Sequence, residues 1–332
     1  MYRNDRSDHN ILVCGYGSIG SRHVENLLNL NCNVEVWNRT FTIDQIESLN
    51  RKNITYYTEL QAALKRSSAV VVATPTYTHM DISNLAAKLG KHLYLEKPIS
   101  HNMIGVVELL KLSEKIVVEV GCQLRNHPCL IKLNDVLAES NKVAGYRMEM
   151  GHRLDYWRKN YDFKKSYTSH SNLGGGALFE LVHMIDLALW YFGPIFQVSA
   201  LVKRRGVLEI DCDDFSLLMI EHCNGIIGTI QLDMVSTSYH CEIQCITSDY
   251  IYQFDLGRGL LLARKSEKKH IVHNVGISYK RNSMFLSHMN HFISRVGNST
   301  LPPKCSLNAG VDSLKVLIAS MRSSTSGINV KP

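Results

Sequence analysis

No apolar run in the 332 residues is both free of ionisable groups and long enough to span a bilayer. The greasiest stretch, Ala177 to Phe196, carries Glu180, His183 and Asp186, and a span would have to bury all three. A transmembrane segment is therefore not expected. The opening residues MYRNDRSDHN carry charge but no apolar signal core, so a cytoplasmic location is expected. The nine cysteines include no CxxC pair, which points to reduced thiols in a reducing compartment. Cys122 and Cys129 flank His127, but two thiols and one imidazole at that spacing match no standard zinc site, and no metal is expected. A single Glu-x-x-His at Glu180 and His183 lacks the second copy that a carboxylate-bridged metal site would need. The basic clusters Lys203 to Arg205 and Arg264 to Lys269 are short and lack interleaved aromatics. No nucleic-acid module is recognisable. The net charge of +7 fits an anionic small molecule as well as a solvated surface. There is no internal repeat and no low-complexity tract.

The hydrophobic share of 45% and the charged share of 20% belong to an ordinary soluble chain. The length suggests about two domains. The chain is organised around Asn10 to Gly20, NILVCGYGSIG. Ile11 to Cys14 reads as a buried strand and runs directly into Gly15-x-Gly17-x-x-Gly20. The next helix carries an apolar stripe at Ile19, Val24, Leu27, Leu28 and Leu30. In this pattern one glycine makes the turn, the second lets the backbone approach a pyrophosphate, and the third allows helix to pack on strand. Gly15, Gly17, Ser18, Ile19 and Gly20 are thus the expected dinucleotide contacts, with the phosphates on the helix N-terminus.

Strands are expected at Ile11 to Cys14, Val34 to Trp37, Ile54 to Tyr56, Ala69 to Ala73, His92 to Leu95 and Ile116 to Val120, with helices between them. Strands alternating with helices predict a parallel, doubly wound Rossmann sheet over residues 1–122. After Pro128 the rhythm changes. Runs such as Phe215 to Glu221, Ile226 to Asp233, Cys241 to Thr247 and Tyr250 to Phe254 follow one another without helices. This predicts an α+β domain over 123–332 with a mixed or antiparallel sheet, closed by helices at Ser283 to Arg295 and Leu307 to Met321.

The second strand ends in Trp37-Asn38-Arg39-Thr40, where this fold reads the adenosine ribose. An acidic residue there would repel a 2′-phosphate, whereas an arginine and a hydroxyl welcome it. Asn38, Arg39 and Thr40 favour NADP(H), with NAD(H) as the alternative. The fourth strand ends in Ala73-Thr74-Pro75-Thr76-Tyr77-Thr78-His79. Loops at the carboxyl ends of parallel strands face the ligand crevice, so Thr74, Pro75, Thr76 and His79 are expected near the cofactor. His79 could equally cap the next helix. The fifth strand ends in Glu96-Lys97-Pro98. A lysine fixed at a strand end can give a proton to a substrate oxygen or take one from it.

These motifs converge. GYGSIGSRH, ATPTYTH, EKP and VGCQLRNHP, followed by GGGALFELVHMID, together resemble the glucose-fructose oxidoreductase, inositol dehydrogenase and MocA family, Gfo/Idh/MocA. The resemblance runs over most of the chain. It implies that Lys97 is catalytic and works with a histidine after the glycine-rich segment, here His183, and that the cofactor is also met by Glu96, Lys97 and Gln123. The second domain's sheet is implied to be large and open and to pack against another subunit, giving a homodimer or homotetramer. Glu180, His183 and Asp186, at steps of three, are expected on one side of a single greasy helix, as an active-site wall. Asp186 is a candidate to orient His183. Many family members carry an aspartate four residues before the histidine. Here Glu180 stands three before it, and its catalytic role depends on its reach. Lys97, Arg125, Glu180 and His183 are expected to meet substrate, as is the segment carrying Trp157, Arg158, Tyr161, Lys165 and Tyr167, whose aromatics suit sugar faces and whose cations suit carboxylate or phosphate groups. The activity implied is hydride transfer at a carbinol or ketone carbon of a sugar, sugar acid or nucleotide sugar, with no nucleic-acid or membrane partner. A cyclitol or imine substrate, or a non-catalytic dinucleotide sensor, are the rivals.

Overall fold

The computed structural model of the chain describes residues 10–157 and 162–332. It divides into two units, one of residues 1–123 with 282–310 and one of 124–281 with 311–332.

In the first unit, β1 (Asn10–Cys14) is followed by α1 (Ser18–Asn29), β2 (Asn33–Trp37), α2 (Ile43–Arg51), β3 (Thr55–Tyr57), α3 (Leu60–Arg66), β4 (Ala69–Val72), α4 (His79–Lys88), β5 (His92–Glu96), α5 (Val106–Ser113) and β6 (Val118–Gly121). The strands form one parallel sheet in the order β3-β2-β1-β4-β5-β6. Ile11 pairs with Val34 on one side and Ala69 on the other. Ile11 to Cys14 and Ala69 to Val72 are fully buried, as continuous apolar runs in a sheet covered on both faces should be. The order reverses between β1 and β4, which makes the crevice at their carboxyl ends the ligand position in such sheets. Local chemistry agrees with the chain path: α2 opens on a capping box in which Thr42 and Gln45 satisfy each other's backbone N–H.

The second unit contains α6 (Pro128–Ala138), β7 (Val143–Gly151), α7 (Ala177–Glu180), α8 (His183–Phe192) and then β8 (Ile195–Lys203), β9 (Phe215–His222), β10 (Ile227–Asp233), β11 (His240–Thr247), β12 (Ile251–Asp255), β13 (Leu260–Lys265) and β14 (Lys268–Asn274). These strands form one sheet in the order β14-β13-β12-β11-β7-β10-β9-β8. Every pairing is antiparallel except β7 with β10. Side chains alternate across it: Ser216, Leu218, Ile220 and His222 of β9 are buried, while Leu217 and Met219 lie open. The buried face meets α8, where the rings of Phe192 and Tyr146 stack at 4.6 Å. A Cβ at Gly228 would strike the Tyr146 ring.

The last two helices are α9 (Asn282–Gly297) and α10 (Leu307–Ser326). Two consecutive domains were expected, yet residues 282–310 belong with the first unit. Met289, Phe292 and Ile293 complete the core built on β1, β2 and β4. Amphipathic periodicity shows that a helix has a buried face but not which core receives it.

His127 caps α6, accepting at Nδ1 from the Cys129 amide at 3.2 Å. Its fully buried ring meets Phe254 and Tyr279 edge-on, at 5.3 and 4.9 Å. Burial first, and the charge of His273 second, push its pKa from 6.5 to about 4. Between those values the unfolded chain binds a proton that the folded chain refuses, so this contribution is complete above pH 6.5 and is lost as pH falls toward 4. At pH 4.5 the loss reaches roughly 2–3 kcal/mol. Asparagine at this position keeps a cap acceptor. Urea unfolding at pH 7 and 4.5 should therefore show a drop smaller by about 2 kcal/mol in His127→Asn than in the wild type. Equal drops would refute the assignment.

Candidate active site

In the first unit the turn after β1 has the shape a dinucleotide needs. Gly15 adopts φ +97°, and a Cβ there would lie 2.7 Å from the Ala73 carbonyl oxygen. A Cβ at Gly20 would collide with the Gly15 carbonyl, whereas Gly17 faces open space. The first and third glycines are thus fixed by packing and the second leaves room for a ligand. Gly17 caps α1 without a side-chain acceptor, so the first-turn amides of Ser18 and Ile19 remain for an anion. A pyrophosphate fits this cradle. At the end of β2, Asn38 Oδ1 accepts from the Tyr16 amide at 3.4 Å and its amide nitrogen donates to the Thr40 carbonyl, while Arg39 is exposed. No acidic residue stands there.

Glu96 and Lys97 follow at the end of β5, with the Lys97–Pro98 peptide cis. Glu96 was expected to meet the cofactor. Its carboxylate is instead internal: Oε1 accepts from His23 Nε2 at 2.8 Å and Gln123 Nε2 at 2.7 Å, and Oε2 accepts from the Lys97 amide at 3.3 Å. Burial works to raise its pKa, but His23, Lys97 and Gln123 outweigh that and hold it below the ordinary carboxylate value. Gln123 likewise directs its amide group at Glu96 rather than outward. His79, another expected cofactor contact, is buried, with its two ring nitrogens on the backbone carbonyls of Pro98 (2.9 Å) and Thr74 (2.8 Å). It ties the β4 loop to the segment after β5, so a ligand does not reach either nitrogen. Thr76 is buried beside it, and Thr74 Oγ1 accepts from Thr78.

In the second unit the greasy stretch is not one helix. Its helical segments are bent by 55° at the break between Glu180 and His183, so a single continuous polar stripe through Glu180, His183 and Asp186 is not formed. Each side has its own anchor. At Gly176 (φ +104°) an added Cβ would meet the Asp213 carboxylate. Asp213 Oδ2 in turn accepts from the Leu178 amide at 2.8 Å and from Ser216 at 2.9 Å. Burial raises the pKa of Asp213, and these donors partly offset the rise. On α8, Asp186 is gripped by Arg125 through two bonds, Nε to Oδ2 at 2.9 Å and Nη2 to Oδ1 at 2.7 Å, and the guanidinium lies over the Trp190 ring at 5.6 Å. The expected substrate contact Arg125 is therefore a buried support of α8, and Asp186 is its acceptor. Glu180 and His183 are both buried, at the end of α7 and the start of α8.

The expected substrate segment is partly described. Trp157 donates its indole N–H to the His152 carbonyl at 2.9 Å and packs on the cluster of Leu154, Ala177, Leu208 and Met234. Lys165 is exposed and 3.6 Å from Asp162, and Tyr167 is half-buried. Arg158 and Tyr161 lie outside the described residues. Sequence reasoning missed a trio in this unit: Tyr239 lies edge-on to His152 at 5.6 Å and under the Arg281 guanidinium at 5.8 Å. These residues are far apart in sequence and carry no motif. Asp213 was missed too, within the acidic Asp211-Cys-Asp-Asp214 run.

A model of an oxidoreductase family with an NAD-binding Rossmann fold matches residues 9–122, and one of the GFO/IDH/MocA C-terminal domain matches residues 142–249. Inositol 2-dehydrogenase 2 of Saccharopolyspora erythraea is 27% identical over 181 residues, covering 53% of this chain and 50% of that protein. Levoglucosan dehydrogenase of Pseudarthrobacter phenanthrenivorans is 24% identical over 191 residues, covering 49% and 48%. The chain spans about half the length of these curated relatives. Among solved structures, a levoglucosan dehydrogenase complex with NADH and L-sorbose superposes with TM-score 0.85 at 16% identity, over 97% of this chain and 98% of that one. UDP-N-acetylglucosamine 3-dehydrogenase of Acidithiobacillus ferrooxidans gives 0.80 at 18%, over 96% and 98%.

Proposed function

The chain belongs to the GFO/IDH/MocA family of oxidoreductases, and we propose that it moves a hydride between NADP(H) and a carbinol or ketone carbon of a sugar, sugar acid or nucleotide sugar. The observation that carries this reading is within the first unit. A glycine cradle for a pyrophosphate and a lysine set one residue beyond an anchored carboxylate share the carboxyl-end side of one parallel sheet. The bound dinucleotide supplies the hydride acceptor or donor. In the oxidative direction the C–H electron pair leaves as hydride to the nicotinamide and the hydroxyl proton passes to Lys97 Nζ. Reduction returns both. Similarity to an inositol dehydrogenase favours a cyclitol as the second reading.

The test is nicotinamide absorbance with purified protein, NADP(H) and separate pools of sugars, sugar acids, sugar nucleotides and cyclitols. Turnover in one of the first three supports the proposal, and turnover confined to cyclitols selects the second reading. Cofactor binding with no turnover in either direction would refute both.

The protein is further proposed to be a homodimer or homotetramer. Support comes from the open face of the second sheet, where Leu201 is 57% and Met219 58% exposed, with Leu217 and Ile227 beside them. Light scattering should give a multiple of 37.6 kDa, and Met219→Lys with Leu217→Lys should lower it. A wild type that weighs one chain would end this proposal.

A further inference from the structure

We infer that His23 is a positioning residue for Lys97, acting through Glu96, so that α1, which carries the phosphate cradle at its N-terminus, also sets the main chain of the lysine. The inference rests on the reading that Lys97 handles the proton.

Several observations converge. His23 lies on the second turn of α1 and is fully buried. Its ring is fixed edge-on against Tyr94 at 5.2 Å, with Phe285 of α9 at 6.4 Å on another side. A carboxylate faces Nε2, so that nitrogen carries the hydrogen and donates it. Nδ1 is buried and has no hydrogen-bond partner among the described residues, so the ring is committed to the single bond it makes to Glu96. That carboxylate folds back on the amide of the next residue, which is Lys97. The room it occupies exists only because Gly121 has no side chain, since a Cβ there would lie 2.9 Å from Oε1.

Stability alone does not account for this arrangement. An apolar pair of similar volume is commonly as stable as a buried ionic one, because desolvating a carboxylate is costly. What the charge adds is direction. Three donors, His23 on α1, Gln123 two residues beyond β6 and the lysine's own amide, hold one side chain in one orientation. Outer residues that orient a reactive group in this way characteristically cost about 10- to 100-fold in activity when removed. His23 touches neither the reacting atoms nor, in this reading, the substrate.

The experiment compares His23→Leu, which fills the space without a donor, with His23→Gln, whose amide nitrogen can stand where Nε2 does. Two readouts are taken. Amide hydrogen exchange is followed at Lys97, with the β1 and β4 amides of Val13 and Val71 as internal references. Turnover is measured on any substrate the pools yield, beside cofactor Kd. In His23→Leu the Lys97 amide should exchange about tenfold faster or more while the references hold. Its kcat should fall about 10- to 100-fold with KM and Kd within about threefold, and His23→Gln should recover most of both. Exchange at Lys97 unchanged in His23→Leu overturns the inference, as does a kcat loss that His23→Gln fails to recover. Should His23→Leu not fold, Glu96→Gln takes its place, and wild-type exchange and rate in that variant are equally decisive against it. Should no pool turn over, the proposed function has failed, and the exchange arm still decides whether His23 sets Lys97.

Discussion

Replacing Lys97 by methionine lowers kcat by about a thousandfold, while cofactor Kd and the midpoint of unfolding stay near the wild-type values. A positioned proton donor or acceptor is worth roughly 10²- to 10⁴-fold, and methionine keeps the length of the lysine stem without an exchangeable proton. The residues that shape the cradle, Gly15 and Gly20, owe nothing to the Lys97 side chain, so binding of the dinucleotide persists. The Glu96 bonds to His23 and Gln123 persist as well. The loss therefore belongs to the chemical step. Steady-state rates and cofactor titration on both proteins suffice to check it, and turnover within tenfold of the wild type would remove Lys97 from the mechanism.

Arg39→Asp inverts the cofactor preference. Arg39 is exposed at the end of β2, beside Asn38 and Thr40, and no carboxylate competes there for a ribose hydroxyl. A hydrogen bond from a charged group to a 2′-phosphate contributes about 1.5–3 kcal/mol, and the aspartate both removes it and repels the phosphate. The ratio of kcat/KM for NADP(H) over NAD(H) should fall by about 100-fold, since each 1.4 kcal/mol is a factor of ten. Because the site is on the surface, the fold is expected to tolerate the change. A wild type that already prefers NAD(H), or a ratio that does not move, would show that the end of β2 does not read the ribose through Arg39.

Much of the fold was readable because its signals are local. Ile11 to Cys14 and Ala69 to Val72 are short runs, apolar without interruption and bounded by turn residues, as strands buried on both faces are. The glycine spacing was recognisable without any partner, although the steric limit on Gly15 comes from the distant Ala73 carbonyl and only that on Gly20, set by Gly15, is local. What could not be read was set by distant contacts. Ala177 to Phe192 contains no Gly or Pro and reads as one helix, yet Asp213 holds one end and Arg125 the other, and the helix breaks between them. The family resemblance put Glu96, Gln123 and Arg125 beside ligands, and the loop at the carboxyl end of the fourth strand put His79 there. Each is turned inward by a partner 19 to 73 residues away, a distance at which sequence pattern carries no information.

Residues 282–310 return to the first unit after the chain has built another sheet. In the order of synthesis, then, the nucleotide-binding half emerges first and is finished late. Until α9 is made, the surface later covered by Met289, Phe292 and Ile293 stays wet, and Glu119 waits for His288 and Arg295, its partners at 3.1 and 2.8 Å. Closing so long a loop adds little to the equilibrium cost, which grows only as the logarithm of its length, but it delays the moment at which the half can hold itself together. The chain is therefore not two beads on a string. Its first fold is hostage to its last third, and a nascent chain halted before residue 282 carries the whole glycine cradle without the helix that seals the core behind it.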